Sequence, residues 1–226
     1  MIRLMKRLLW VACTLLVSLS SFAQEPVRDW AATYRYATAN AQVTARPQIV
    51  FLGDSITEQW ARNRSFFADN GYLGRGISGQ TTAHMLVRFR SDVIDLHPKY
   101  VAIMAGTNDI AGNNGLISPD KIYDNLVSMC ELARVHKIKV LLCSITPVNR
   151  YGWSKLMTED PSEIILGLNA RLKAYADATR GVTYVDYFDA LKSETNGIPA
   201  EYSADGVHLT ARGYEIIEGI IQPYIR

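Results

Sequence analysis

Short apolar runs alternate along the chain with longer stretches in which apolar residues recur every three or four positions. The runs at 48–52 (QIVFL), 100–104 (YVAIM), 138–145 (IKVLLCSI) and 182–186 (VTYVD) have the length and density of strands buried on both faces of a parallel sheet. Residues 73–77 (LGRGI) form a weaker candidate. Between the runs, Met85, Leu86, Phe89, Val93 and Leu96 predict a helix over 81–96. Ile122, Tyr123, Leu126, Met129, Cys130 and Ala133 predict another over 119–136, with Ser118 as cap and Pro119 in the first turn. A helix over 161–179 opens with Asp160 as cap and Glu163 placed to complete a capping box. A last helix follows Thr210, over 210–225. Ahead of the first strand, Trp30, Tyr34 and Ala37 form a modest stripe, so 24–47 reads as an extra helical segment packed across the sheet. Strand and helix in alternation give an α/β fold with a parallel sheet. Repeats, low-complexity tracts and linkers are absent from the sequence, so 24–226 reads as one domain.

In such a sheet the reactive groups gather at the carboxyl ends of the strands. There the sequence places Gly53-Asp54-Ser55-Ile56-Thr57, Gly76-Ile77-Ser78-Gly79-Gln80, Gly106-Thr107-Asn108-Asp109 and, before the last helix, Asp205-Gly206-Val207-His208. A serine hydroxyl is a weak nucleophile until a base takes its proton, and His208 is the candidate base for Ser55. Asp205, three residues before it, is placed to fix the imidazole tautomer and stabilise its charged form. Acyl transfer builds negative charge on an oxygen, which needs fixed donors. The backbone N–H groups of Ser55 and Gly79 and the side-chain amide of Asn108 are the candidates, with Gly79 allowing the backbone to come close.

These four blocks, in this order, resemble the GDSL, or SGNH, hydrolase superfamily: GDSIT supplies Ser55, GISGQTT Gly79, GTND Asn108, and DGVHLT Asp205 and His208. Isoleucine stands where the family name has leucine, which changes no chemical group. The resemblance implies a flavodoxin-like three-layer α/β/α sandwich with a five-stranded parallel sheet. It also implies ester hydrolysis, sometimes of thioesters or amides, with no cofactor, at an open site that suits small acyl groups such as acetyl. The α/β-hydrolase elbow GxSxG and the GxxxxGK[ST] phosphate loop are absent from the sequence, as are HExxH and any Cys/His cluster with metal-ligand spacing. His84, His97 and His136 lie in or beside predicted helices and read as structural or surface residues.

Composition adds a location. Arg3, Lys6 and Arg7 precede an apolar stretch from Leu8 to Leu19, and Ser21 and Ala23 are small residues before a cleavage point. That is the pattern of a secretory signal over 1–23, and the apolar stretch is short of the ~20 residues a spanning helix needs. Cys13 lies too early in the stretch for lipid attachment. The whole chain carries 24 basic and 22 acidic residues; without the three basic residues of the signal it has a formal charge of −1. Nothing then points to nucleic acid or to an anionic membrane as partner. Cys130 and Cys143 lie among apolar residues and read as buried thiols, although export permits a disulfide.

Export directs the substrate reading to material outside the cytoplasm. Signal-bearing members of compact size resemble esterases that remove O-acetyl groups from carbohydrate. Segment 147–159 follows the strand at 138–145 and should overhang the site, so Tyr151 and Trp153 either stack on a sugar or pack the loop down. Trp60 either lines the acyl pocket or anchors the first helix, and Arg75 meets solvent or an acidic substrate. A lysophospholipase or short-chain lipid esterase is the alternative within the mechanism. A non-catalytic glycan-binding module is the alternative outside it. Oligomeric state is not legible.

Overall fold

The computed structural model describes residues 29–225. The signal expected over 1–23, the lipidation question at Cys13 and the start of the 24–47 segment lie outside the described residues.

Five strands form one parallel sheet: β1 (Ile49–Gly53), β2 (Leu73–Gly76), β3 (Tyr100–Met104), β4 (Lys139–Cys143) and β5 (Val182–Val185). Their spatial order is β2-β1-β3-β4-β5. The register pairs Ile49 with Tyr100, Tyr100 with Lys139 and Val140 with Val182. Every residue of the central strands β1 and β3 is buried, which is why they read as unbroken apolar runs. Edge strand β2 (LGRG) carries one apolar side chain beside two glycines and an arginine, hence its weak sequence signal.

Five longer helices flank the sheet: α1 (Ser55–Asn63), α2 (Thr82–Asp92), α3 (Pro119–Val135), α4 (Ser162–Ala178) and α5 (Ala211–Ile221). Helices α2, α3 and α4 pack side by side on one face. On the other face α1 and α5 meet through Trp60 stacked on Tyr214 at 5.9 Å. The right-handed crossovers of a parallel sheet require this division, and the result is the three-layer sandwich. Helix α1 left no apolar stripe in the sequence because it buries only Ile56, Thr57 and Trp60. The helix expected to reach residue 96 stops at Asp92, where Val93 (φ −131°, ψ −62°) breaks the ladder before a 3₁₀ turn at Ile94–Leu96. The last helix ends at Ile221, since Pro223 follows in a 3₁₀ turn. Of segment 24–47, the turn Ala37–Ala41 is helical, and Asn40 donates to Ser91 O at 3.0 Å and to Asp92 Oδ1 at 2.8 Å.

Cys130 and Cys143 are free and buried, and burial pushes both thiols up to about 12. Among the described residues, no helix is long and apolar enough to cross a membrane.

Candidate active site

Strand β1 ends at Gly53, and Asp54 turns the chain into α1. Its Oδ1 accepts the Ile56 N–H at 3.0 Å, capping the helix and making Ser55 the first helical residue. An N–H in the first turn has no acceptor within its own helix and lies at the positive end of the dipole, so Ser55 N is available to a developing anion. The start of α1 also presses on the end of β2: a Cβ at Gly76 would lie 2.2 Å from Glu58 N. Tyr214 Oη donates to Ile56 O at 2.8 Å and ties α1 to α5.

The turn before α5 supplies the other half. Asp205 Oδ1 accepts from Ser203 Oγ at 3.2 Å, Val207 N at 2.9 Å and His208 N at 2.7 Å. That leaves Oδ2 for His208 Nδ1, at 2.7 Å, while His208 Nε2 lies 2.9 Å from Ser55 Oγ. An ionised carboxylate only accepts, so Nδ1 carries the ring proton and Nε2 offers its lone pair to the serine hydroxyl. Burial alone would raise the Asp205 carboxyl, but the ring and the two backbone donors outweigh it and hold the group at about 2.

The third component is a buried polar layer. Gly79 has φ +78°, and a Cβ there would meet nothing nearer than Asn113 Nδ2 at 4.0 Å. The demand for glycine is therefore conformational rather than one of space. The loop is held by Ile77 N on Gly53 O (3.1 Å), Ser78 N on Glu58 Oε2 (2.8 Å) and Gln80 Nε2 on Ala31 O (2.7 Å). Asn108, in the helical turn Thr107–Ile110, directs Nδ2 at Gln80 O (3.1 Å) and at Asp54 Oδ2 (3.3 Å). An oxyanion would thus compete with Asp54 for the more loosely held of the two protons. Burial, helped by the nearby charge of Asp109, raises Asp54 to about 6. Burial likewise raises Asp109 to about 6, although Thr82 N and Oγ1 donate to it at 2.9 and 2.6 Å.

The structure thus brings Ser55, His208 and Asp205 into one line, with Asn108 and the Gly79 loop beside it. Sequence reasoning missed Arg88. Fully buried, it donates to Gly53 O (2.9 Å), Arg75 O (2.9 Å), Gln80 Oε1 (2.6 Å) and Asp92 Oδ2 (2.9 Å), joining the ends of β1 and β2 to the Gly79 loop. A cation and an anion four residues apart on the face that also carries Met85 and Phe89 were the available signal.

The candidate substrate contacts divide. Trp60 is 1% exposed, wedged among Phe51, Phe66, Phe67 and Tyr214, with Nε1 donating to Glu218 Oε1 at 2.9 Å; it anchors α1 and lines no open pocket. Arg75 is buried too, donating to Asn40 Oδ1 at 2.8 Å with its guanidinium 4.8 Å from the Tyr36 ring centroid; it meets neither solvent nor substrate. Tyr151 is buried beneath Trp153, ring centroids 5.4 Å apart. Trp153 alone of the three aromatic candidates is open, 44% exposed, with its ring centroid 6.3 Å from that of His208.

Gly74, Gly76 and Gly79 also have the G-x-G-x-x-G spacing of a dinucleotide-binding turn, a match missed in the sequence. The space a pyrophosphate would need is filled: Cβ atoms at Gly74 and Gly76 would meet Ala61 Cβ at 2.3 Å and Glu58 N at 2.2 Å. Among the described residues, no group of three His, Cys, Asp or Glu side chains is placed to hold a metal ion.

The model of the GDSL-like lipase/acylhydrolase family matches residues 51–216. A GDSL-like lipase from Bacteroides thetaiotaomicron is 44% identical, with a TM-score of 0.81 over 86% of this chain and 97% of that one. An uncharacterised lipoprotein, YqeF, of Bacillus subtilis is 34% identical over 50% of this chain and 54% of its own length. Esterase TesA of Pseudomonas aeruginosa is 33% identical over 49% of this chain and 60% of its own. The chain thus spans little more than half the length of these two curated relatives.

Proposed function

The chain belongs to the GDSL-like lipase/acylhydrolase family, an ester-hydrolysing enzyme by that membership, and from this premise we propose that Ser55, His208 and Asp205 carry the reaction. The observation that carries the proposal is the continuous line Asp205 Oδ2 – His208 Nδ1 (2.7 Å) and His208 Nε2 – Ser55 Oγ (2.9 Å). His208 takes the Ser55 proton as Oγ bonds to the acyl carbon. The carbonyl oxygen becomes the oxyanion, facing Ser55 N, Gly79 N and Asn108 Nδ2. Collapse breaks the ester bond, the departing alcohol takes the proton from His208, and acyl-Ser55 remains. Water then attacks with His208 again as base, releasing the carboxylic acid and restoring Ser55. Asp205 stays ionised throughout, in keeping with its carboxyl held at about 2. The contact between His208 and Ser55 counts against a binding-only glycan module.

The substrate we propose is a small acyl ester of carbohydrate, acetyl first. Its support is the open indole of Trp153 beside His208, where an aromatic face suits a sugar ring. A lipid reading has its own observation: Leu116 and Leu156 pack over Gly112 and are 56% and 52% exposed, a pair of open apolar side chains. Export outside the cytoplasm, from the pattern of residues 1–23, completes the reading. The test uses wild type and Ser55→Ala on 4-nitrophenyl esters from acetate to decanoate, then on acetylated xylooligosaccharide and lysophosphatidylcholine. Wild-type turnover best on acetate and on the oligosaccharide supports the carbohydrate reading. A rise in kcat/KM with chain length and turnover of the lysolipid would replace it with the lipid one.

A further inference from the structure

Asn113 lies one turn beyond Asn108 and belongs to none of the sequence blocks. Its Nδ2 donates to Asn108 Oδ1 at 2.7 Å, and its backbone N donates to Asn108 O at 3.0 Å. Its Oδ1 accepts from Trp153 Nε1 at 2.9 Å. Nδ2 is also the nearest atom to the outer side of Gly79. A chain of donors therefore runs inward from a half-exposed indole, through Asn113, to an amide that is 4% exposed.

The chemistry of the partners gives this chain one direction. An indole N–H only donates, so it selects the oxygen end of Asn113. That turns the nitrogen end of Asn113 toward Asn108, whose oxygen must face it. The nitrogen of Asn108 is left facing Gln80 O and Asp54 Oδ2, and the proton held more loosely, at 3.3 Å from Asp54, is the one an oxyanion would take. Reversing either amide would set oxygen against oxygen or N–H against N–H. An amide that accepts strongly at its oxygen also becomes a better donor at its nitrogen.

We propose that Asn113 is a positioning residue for ester hydrolysis: it orients and polarises the Asn108 carboxamide toward the oxyanion, and is itself set by Trp153. The proposal rests on the reading of Asn108 as an oxyanion donor. It also links the loop at 147–159 to the chemistry, because a substrate that moves Trp153 disturbs the same chain of bonds.

The test compares wild type, Asn108→Ala, Asn113→Ala, Asn113→Asp, Trp153→Phe and the double variant Asn108→Ala/Asn113→Ala on 4-nitrophenyl acetate, each with a thermal melt. Asn113→Ala is expected to lower kcat by about tenfold with KM within about twofold, since an interaction felt only in the transition state is lost. Asn113→Asp is expected to lose more, because it sets a carboxylate against Asn108 Oδ1. Trp153→Phe, which keeps a ring but removes the N–H, should lose less than Asn113→Ala. In the Asn108→Ala background the Asn113→Ala change should cost nothing further. A folded Asn113→Ala enzyme with wild-type kcat overturns the proposal, as does an equal loss with and without Asn108. Should Asn113→Ala fail to fold, an unchanged kcat in Trp153→Phe together with Asn113→Asp overturns it. If Asn108→Ala itself leaves kcat unchanged, the oxyanion reading fails and takes this proposal with it. A loss at Asn108 without one at Asn113 rejects the positioning role alone.

Discussion

The two halves of the site are built in opposite ways. The donor half, Asp54, Gln80, Arg88, Asn108 and Asp109, is a buried polar layer in which each group is bonded to another element of the fold. The proton half, Asp205 and His208, stands on a turn whose side chains are 53% and 30% exposed, held mainly by bonds within the turn itself. The difference suits the work proposed for each half. Stabilising an oxyanion needs dipoles that are fixed beforehand in a medium of low dielectric, where a loose donor would spend its energy on reorganising. A base that takes a proton, returns it and admits water needs an open side. The cost of the buried half is visible in Asp54 and Asp109, both raised to about 6 by burial.

Substitution separates the halves. Removing the nucleophile or the base should abolish turnover without loosening the fold: Ser55→Ala and His208→Ala are each expected to cost up to ~10⁶-fold in kcat with a near-wild-type melt. A large fall in melting temperature would mean that the exposed half also supports the structure. Arg88→Ala should do the reverse, removing ~3–5 kcal/mol of stability by leaving the buried Asp92 carboxylate without its cation, with only Asn40 still donating to it. Chemical unfolding would read this, and an unchanged midpoint would contradict the account of Arg88 as the tie between strand ends. Asn108→Ala lies between, with kcat lowered ~10²–10³-fold if its amide serves the oxyanion. An unchanged kcat removes it from the mechanism.

The smallest effect concerns pH. Asp54 has a raised carboxyl in the fold, so its contribution to stability is fully present below about 3.8 and is lost as pH rises through about 6. Asp205 runs the other way: its contribution is present above about 3.8 and is lost as pH falls toward about 2. Asp54→Asn, which retains the helix cap, should therefore gain on wild type in melting temperature between pH 4 and pH 7. A difference that stays constant with pH would contradict the burial of an ionisable group at this position.

The halves also differed in how far the sequence revealed them. Ser55, Gly79 and Asn108 stood out because each sits in a short polar cluster after a strand candidate, and a parallel sheet brings such ends to one rim; Asp205 and His208 stood out as an Asp-x-x-His turn just before the last helix. Arg88 and Asn113 did not. Arg88 is read as solvent-facing unless its position on the apolar stripe is weighed, and Asn113 is held by a partner 40 residues away, Trp153, that no local pattern connects to it. Trp60 and Trp153 were alike as letters. Only packing separates a ring enclosed by four aromatic neighbours from one left open beside His208.

The central claim is that Ser55, activated by His208, is the nucleophile. The most direct measurement treats active enzyme with a fluorophosphonate and maps the adduct by mass spectrometry, in wild type and in His208→Ala. The account predicts one adduct, on Ser55, formed in step with loss of esterase activity and formed far more slowly without His208. Full inactivation with the adduct on another residue, or labelling of Ser55 at the same rate in His208→Ala, would contradict it.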